Sequence, residues 1–193
     1  MTRSRIVCIG GSAGSLTALQ QLLPQLHASW GGTVVVTVHQ HPAQHGLKQA
    51  LEPYALLPVE MPEDKQAIAR GKIYVAPPNY HLLIEADESF SLSVDPLVKY
   101  SRPSVDVFFE SAARALGSWV VGVLLSGAND DGARGLAAIQ RRGGIVGCQS
   151  PQSAEQAAMP AAGIGACAPD IIADPLALGR FVSELPTEAP DPN

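Results

Sequence analysis

Short apolar runs alternate with amphipathic stretches along most of this 193-residue chain. Residues 6–9, 33–38 and 119–125 are rich in apolar, mostly β-branched side chains and lack polar alternation, which is typical of parallel strands buried on both faces. After Ser15, leucines recur at helical spacing, so a helix is expected to follow the first run. The pattern predicts an α/β fold with a doubly wound, mainly parallel sheet and helices on both faces.

Weaker patterns complete the predicted element order. Short strands are expected at 57–59, 73–76, 144–148 and 171–173, one small β-hairpin at 81–94, and helices at 46–51, 104–116, 133–141 and 176–185. Ser104 is the expected N-cap of its helix, and Met159-Pro160 is interpreted as a turn. No repeat or charge run marks a domain boundary. We therefore expect one domain over residues 1–193, with a core at 6–185 and a disordered, proline-rich tail at 186–193.

Composition narrows the class of protein. Hydrophobic residues make up 46% and charged residues 16%, enough for a buried interior and unlike a disordered chain. A net charge of −5 argues against binding to nucleic acid through bulk phosphate attraction. The sequence has no membrane-length apolar run and no secretory leader, which predicts a cytoplasmic protein. Cys8 and Cys148 lie in apolar runs and are expected to be buried thiols.

The segment from Gly10 to Gly14 fits the pattern G-x-S-x-G between a strand and a helix. In that setting the glycines allow a sharp turn that exposes the Ser12 hydroxyl, so Ser12 is a candidate nucleophile. Two alternatives stay open: Ser12 caps the helix, or the turn binds a phosphate. A dinucleotide fingerprint is excluded because serines stand at two of its glycine positions, and a P-loop is excluded because no lysine follows.

A nucleophilic serine needs a base and an orienting carboxylate. His39 follows the second strand, and Asp131 lies in the glycine-rich loop after the strand at 119–125. Parallel strands bring all three residues to the carboxyl edge of the sheet. Asp130 is an alternative to Asp131. The order Ser, His, Asp differs from the Ser, Asp, His order of α/β-hydrolases.

Other polar residues are interpreted as structural. His39, His41 and His45 could form a metal cluster, but no acidic or cysteine ligand lies near them in sequence, so no metal and no cofactor are expected. His27 is expected on a helix surface and His81 in the hairpin. Asp106 is expected to stabilise the start of its own helix.

Six segments resemble, in order and spacing, the catalytic domain of the chemotaxis protein-glutamate methylesterase (CheB) family. They are residues 9–14, 38–42, 71–78, 102–106, 124–127 together with 131–132, and 158–160. The resemblance implies hydrolysis of glutamate methyl esters on the cytoplasmic helices of chemoreceptors, often with deamidation of receptor glutamines, in two-component chemotaxis signalling. It implies Ser12 as nucleophile, His39 as general base and Asp131 as its orienting acid.

The chain departs from the usual family motifs at four positions. Members often have Gln before the histidine and Thr after the serine, where this chain has Val38 and Ala13. Ala128 replaces a larger loop residue and Asn129 replaces a glycine. Backbone N–H groups of Ala13 and Ala128 are the remaining candidates for the oxyanion donors. Full and reduced activity both stay open.

Family members commonly carry a receiver domain. Because residues 6–185 are assigned to the catalytic fold, we expect regulation from a separate chain, such as a receiver-type protein. Two other functions stay open, an esterase or amidase for another acyl substrate and a catalytically weak module that binds receptors. Methanol release and the reaction of Ser12 with a fluorophosphonate distinguish these alternatives.

Overall fold

The apolar runs of the sequence lie side by side in the computed structural model, which describes residues 4–40 and 46–188. The strands are β1 (Ile6–Gly11), β2 (Thr33–Val38), β3 (Val59–Glu60), β4 (Ile73–Val75), β5 (His81–Ile84), β6 (Phe90–Ser93), β7 (Val120–Leu124), β8 (Ile145–Gln149) and β9 (Ile171–Ala173). Seven form one parallel sheet in the order β3-β4-β2-β1-β7-β8-β9, and β5 and β6 form an antiparallel hairpin. The predicted fold class is confirmed.

Helices cover both faces of the sheet. They are α1 (Ser15–Leu22), α2 (Leu47–Leu51), α3 (Val105–Leu116), α4 (Ala133–Arg141), α5 (Ala158–Ala166) and α6 (Pro175–Glu184). Phe108 of α3 and Leu136 of α4 are fully buried on one face, together with the hairpin, while Leu19 of α1 and Val182 of α6 are buried on the other. None of the helices within the described ranges combines the length and apolar character needed to cross a membrane.

The strand order places three strand ends together. From β1 the chain passes to β2, then to the edge strand β3 and back to β4 between them, and it later returns to pair β7 with the other side of β1. Gly11 is in register with Val38, and Gly10 with Leu124, so β1, β2 and β7 end at the same level. Ligands of such sheets bind where the winding direction reverses. The loops after β1, β2 and β7 are therefore the expected location of a ligand-binding or catalytic site.

One detail differs from the sequence prediction. Met159-Pro160 belongs to α5 and is not a turn. Pro160 is the third residue of that helix, where the backbone N–H has no intrahelical partner, so its absence costs no bond. At the start of the expected tail, Arg5 Nε donates to Pro186 O at 2.7 Å and Arg5 N–H donates to Thr187 O at 3.0 Å. Residues 189–193 lie outside the described residues.

The close approach of α3 and α4 depends on Gly135. A Cβ at this position would lie 2.5 Å from Phe109 Cβ and 3.1 Å from Asp106 O. Gly135→Ala is expected to lower the free energy of unfolding by about 1–3 kcal/mol, the usual effect of overpacking. Gly165→Ala in α5 is the matched control, since nothing lies within 4 Å of its Cβ, and it should stabilise slightly. Urea denaturation of both variants checks this, and equal midpoints would contradict it.

Candidate active site

The turn between β1 and α1 presents Ser12 at the carboxyl edge of the sheet. Ser12 N–H donates to Ser126 O at 2.9 Å, and Ser15 Oγ donates to Ser12 O at 2.6 Å. Gly14 has a φ of 79°, and a Cβ there would lie 2.6 Å from Ser126 Oγ, so the position requires glycine. The backbone of Ser12 is thus held on both sides while its half-buried side chain faces outward.

His39 follows β2 directly and lies beside this turn. The backbone N–H of His39 donates to Gly11 O at 3.2 Å, and the ring atom Nε2 lies 2.7 Å from Asp131 Oδ2. An ionised carboxylate only accepts hydrogen bonds, so Nε2 carries the proton in this pair and Nδ1 keeps its lone pair. Nδ1 is therefore the nitrogen that can take a proton from another group.

The start of α3 holds the Asp131 carboxylate. Oδ2 accepts from Val105 N–H at 2.8 Å, and Oδ1 accepts at 3.0 Å from both Asp106 N–H and the Ser104 hydroxyl. These N–H groups have no partner within the helix and carry partial positive charge. Asp131 is fully buried and surrounded by donors. The histidine is thus oriented by a carboxylate that is itself fixed.

The same contacts keep Asp131 ionised. Burial raises the pKa of Asp131, but the hydrogen bonds from His39, Asp106 N–H and Val105 N–H together lower it further. The net pKa lies below the usual value for an aspartate. At neutral pH the carboxylate is therefore charged and can stabilise an imidazolium.

The free energy of unfolding should depend on Asp131 at acidic pH. Because folding lowers this pKa, the unfolded chain binds the proton more tightly than the folded protein does. The stabilisation is complete above the unfolded pKa of about 4 and is lost as pH falls through the lower folded value. Urea denaturation across this range should show a steeper loss for the wild type than for Asp131→Asn. Parallel curves for the two proteins would contradict the assignment.

Ser12 and His39 line one open groove of about 380 Å³. The other described lining residues are Ala13, Gly14, Ser15, Leu16, Val38, Gln40, Gly46, Leu47 and Ala50. Within the described ranges, Ser12 Oγ makes no hydrogen bond to His39. Such bonds are often long or misaligned in a site without substrate. The fold thus joins His39 to Asp131 directly and brings Ser12 to the same groove.

The two candidate oxyanion donors differ in their position. Ser12 N–H is already bonded to Ser126 O and is not free. The neighbouring Ala13 lines the groove, and its N–H has no acceptor among the residues that the structure describes. Ala128 is exposed in the loop after β7 and is not among the described groove-lining residues. Ala13 N–H is therefore the better placed of the two donors.

Asp131, and not Asp130, contacts His39. Asp130 is exposed, and its Oδ1 lies 3.1 Å from Lys99 Nζ, which also donates to Asp130 O at 3.1 Å. The same Nζ lies 3.2 Å from Asp106 Oδ2. Lys99 thus links the loop that carries Asp131 to Asp106 of α3. Sequence reasoning did not identify this lysine, because nothing in its local pattern links it to a loop so far along the chain.

Asp106 stabilises a different helix from the one expected. Its Oδ1 accepts from Gly132 N–H at 3.0 Å and from Gly135 N–H at 2.8 Å, both at the start of α4. Asp131, which precedes α4, binds the start of α3 in return. Each of the two buried carboxylates therefore accepts hydrogen bonds from the N-terminus of the other's helix: Asp106 of α3 binds the start of α4, and Asp131, just before α4, binds the start of α3. These bonds hold Asp131 in place relative to His39.

The remaining candidates are structural or lie outside the described residues. His27 is exposed beyond the end of α1 rather than on it, and His81 is buried in β5. His41 and His45 lie outside the described residues, and the described part of the chain holds no group of three or more His, Cys, Asp or Glu side chains that could hold a metal ion. Cys8 and Cys148 are buried as expected, and burial raises the pKa of Cys148 to about 12.

A serine, a histidine and a buried carboxylate at one edge of a doubly wound sheet are the components of acyl transfer from an ester or amide to a serine. Residues 7–182 match the family model of CheB methylesterase. The CheB methylesterase catalytic domain of Thermotoga maritima has the same fold, with a TM-score of 0.90 at 26% identity, covering 94% of this chain and 98% of that one. The chain belongs to the CheB methylesterase family.

Relatives from two other organisms carry a fuller description. A putative protein-glutamate methylesterase/protein-glutamine glutaminase of Leptospira interrogans is 41% identical over 167 residues, which are 86% of this chain and 86% of that protein. A protein-glutamate methylesterase/protein-glutamine glutaminase of Methanospirillum hungatei is 34% identical over 182 residues, 94% of this chain and 52% of that protein. The chain therefore spans about half the length of the second relative.

Proposed function

We propose that this chain hydrolyses the methyl ester of glutamate side chains on chemoreceptors, releasing methanol, and that it also deamidates receptor glutamines. The observation that carries the proposal is the 2.7 Å hydrogen bond between His39 Nε2 and Asp131 Oδ2, because it leaves Nδ1 free as a base on the groove that Ser12 lines. The descriptions of the relatives from L. interrogans and M. hungatei support the substrate class.

Acylation begins at Ser12. As Ser12 Oγ bonds to the ester carbonyl carbon, its proton passes to His39 Nδ1, and the charge of Asp131 stabilises the imidazolium. The carbonyl oxygen becomes an oxyanion that Ala13 N–H can stabilise. The imidazolium then protonates the methoxy oxygen, the C–O bond breaks, and methanol leaves. For a glutamine substrate the same proton goes to the departing nitrogen, and ammonia leaves.

Deacylation repeats these steps with water. His39 Nδ1 takes a proton from water as the water oxygen bonds to the acyl carbon, and it returns a proton to Ser12 Oγ as the ester to the enzyme breaks. The products are a glutamate side chain and the free serine. Asp131 exchanges no proton in either half of the reaction; it keeps His39 in the tautomer with the proton on Nε2.

The groove favours a neutral substrate over its charged product. Its described walls include Leu16, Val38 and Leu47, and no lysine or arginine side chain is among the described lining residues. A neutral methyl ester or amide loses less hydration free energy there than a carboxylate, which finds no cationic partner among those residues. This difference assists product release. We infer that the reaction takes place in the cytoplasm, on the helices of methylated receptors.

The test compares two substrates for the same protein. Methanol release from a methylated chemoreceptor cytoplasmic fragment and hydrolysis of p-nitrophenyl acetate are measured in parallel, together with labelling by a fluorophosphonate. We expect a higher kcat/KM on the methylated receptor. Turnover of the small ester without methanol release would indicate an esterase for another substrate. Absence of both turnover and labelling would indicate a binding module, and either result would overturn the proposal.

A further inference from the structure

Ser104 contacts the carboxylate that orients His39, although it lies in neither of the loops that carry Ser12 and Asp131. Its hydroxyl donates to Asp131 Oδ1 at 3.0 Å and also accepts from Val107 N–H at 3.4 Å, as the N-cap of α3. Ser104 is fully buried, so water does not replace either contact. One hydroxyl therefore links the start of α3 to the acid of the site.

The backbone of Ser104 is itself held in place by His81. Ser104 N–H donates to His81 Nδ1 at 3.2 Å, and His81 Nε2 lies 3.1 Å from Pro96 O. Since a carbonyl oxygen only accepts, Nε2 is the donor to Pro96 O, and Nδ1 is the acceptor from Ser104 N–H. His81 has only 1% of its surface exposed. His81 of the hairpin therefore holds the backbone of Ser104 through a buried imidazole whose two ring nitrogens both have hydrogen-bond partners.

Among the described residues, the donors divide evenly between the two oxygens of Asp131. Oδ1 accepts from the Ser104 hydroxyl and from Asp106 N–H, while Oδ2 accepts from Val105 N–H and from His39. Removing the hydroxyl leaves Oδ1 with one donor and leaves the carboxylate freer to rotate about its bond to Cβ. Rotation moves Oδ2 away from the line to His39 Nε2, and misplacement of a reacting group by a small distance is costly in rate.

We propose that Ser104 is a positioning residue for the hydrolysis, which acts by locking the rotation of the Asp131 carboxylate so that Oδ2 faces His39. The inference rests on the proposed function of the groove. It assigns to the segment 102–106 a role beyond starting α3. Ser104 touches neither substrate nor Ser12 in this role and acts only through Asp131.

The test compares Ser104→Ala with Ser111→Ala. Ser111 is a matched control on the same helix, since it is buried, donates to Phe108 O at 2.8 Å and accepts from Ile84 N–H at 3.1 Å. We expect Ser104→Ala to lower kcat by up to roughly 100-fold, the scale of loss when a reacting group is misplaced by about 1 Å, with KM unchanged. Ser111→Ala should leave both constants unchanged.

A spectroscopic measurement separates positioning from a general loss of stability. The low-field proton resonance of His39 Nε2–H reports the bond to Asp131 directly, and it should shift or broaden in Ser104→Ala but not in Ser111→Ala. Ser104→Gly, which keeps most of the capping preference, replaces the alanine variant if that variant does not fold. A wild-type kcat and an unshifted resonance in the Ser104 variant would overturn the inference.

The outcome for Ser104 is distinguishable from the outcome for the proposed function. If the wild-type protein releases no methanol, the proposed function fails, while the resonance still reports whether Ser104 positions Asp131. If the wild type is active and the two alanine variants have equal kcat values, the inference about Ser104 fails and the proposed function is unaffected.

Discussion

Ser12→Ala is expected to abolish methanol release, lowering kcat by about 10⁵- to 10⁶-fold, the usual effect of removing a serine nucleophile. Without Ser12 Oγ no acyl-enzyme can form, because His39 then has no serine hydroxyl in the groove from which to take a proton. Methanol release from a methylated receptor fragment measures the effect. A variant that keeps more than about a tenth of the wild-type rate would contradict the assignment of Ser12.

The folded structure should tolerate this substitution. The backbone of Ser12 is held by Ser126 O and by the Ser15 hydroxyl, whereas Ser12 Oγ has no hydrogen-bond partner within the described ranges. The change in the free energy of unfolding should stay within about 0.5 kcal/mol. Ser183→Ala in α6 is the control, because among the described residues the Ser183 hydroxyl bonds only to Arg180 O on the same helix, and it should be dispensable for activity.

Asp131→Asn is expected to lower kcat by about 10⁴-fold, the effect that the same change has in a serine protease triad. An asparagine amide can present a donor to His39 Nε2, which would move the proton to Nδ1 and remove the lone pair that takes the Ser12 proton. Asp130→Asn is the matched control in the same loop, since Asp130 is exposed and bonded to Lys99. Equal rates for the two variants would contradict the role of Asp131.

Asp131→Asn should also destabilise the protein. The carboxylate accepts from Val105 N–H and Asp106 N–H at the start of α3, where a negative charge is favoured. Loss of that charge should cost about 1–2 kcal/mol at neutral pH. Urea denaturation gives the value. The rate must therefore be measured at a temperature at which both variants are folded, so that the two effects of the substitution are separated.

Much of the fold follows from the sequence because burial on both faces leaves a local signature. The runs of β1, β2 and β7 have no polar alternation, which is typical of strands buried on both faces of a parallel sheet. From three such strands the common edge follows, and with it the meeting of the loops that hold Ser12, His39 and Asp131. The resemblance to the family implied Asp131 rather than Asp130, whereas local pattern alone left both open, because side-chain direction in a glycine-rich loop has no periodic signal.

The supporting hydrogen bonds could not be predicted in the same way. Ser104 was identified as an N-cap from its position before an amphipathic helix, but its bond to Asp131 joins segments that only tertiary packing brings together. The sequence places Asp106 in the first turn of α3, as the structure has it. Its hydrogen bonds to Gly132 and Gly135 could not be predicted, because they depend on the contact of α3 with α4. Local pattern identifies the elements, and long-range contacts decide which polar groups meet.

We propose Ser12 as the nucleophile, activated by His39 and Asp131. The most direct measurement is to label the intact protein with a fluorophosphonate, digest it, and identify the modified residue by mass spectrometry. We expect a single phosphonyl adduct on Ser12, formed rapidly in the wild type and much more slowly in Asp131→Asn. An adduct on another residue, or methanol release by a protein that forms no adduct, would contradict it.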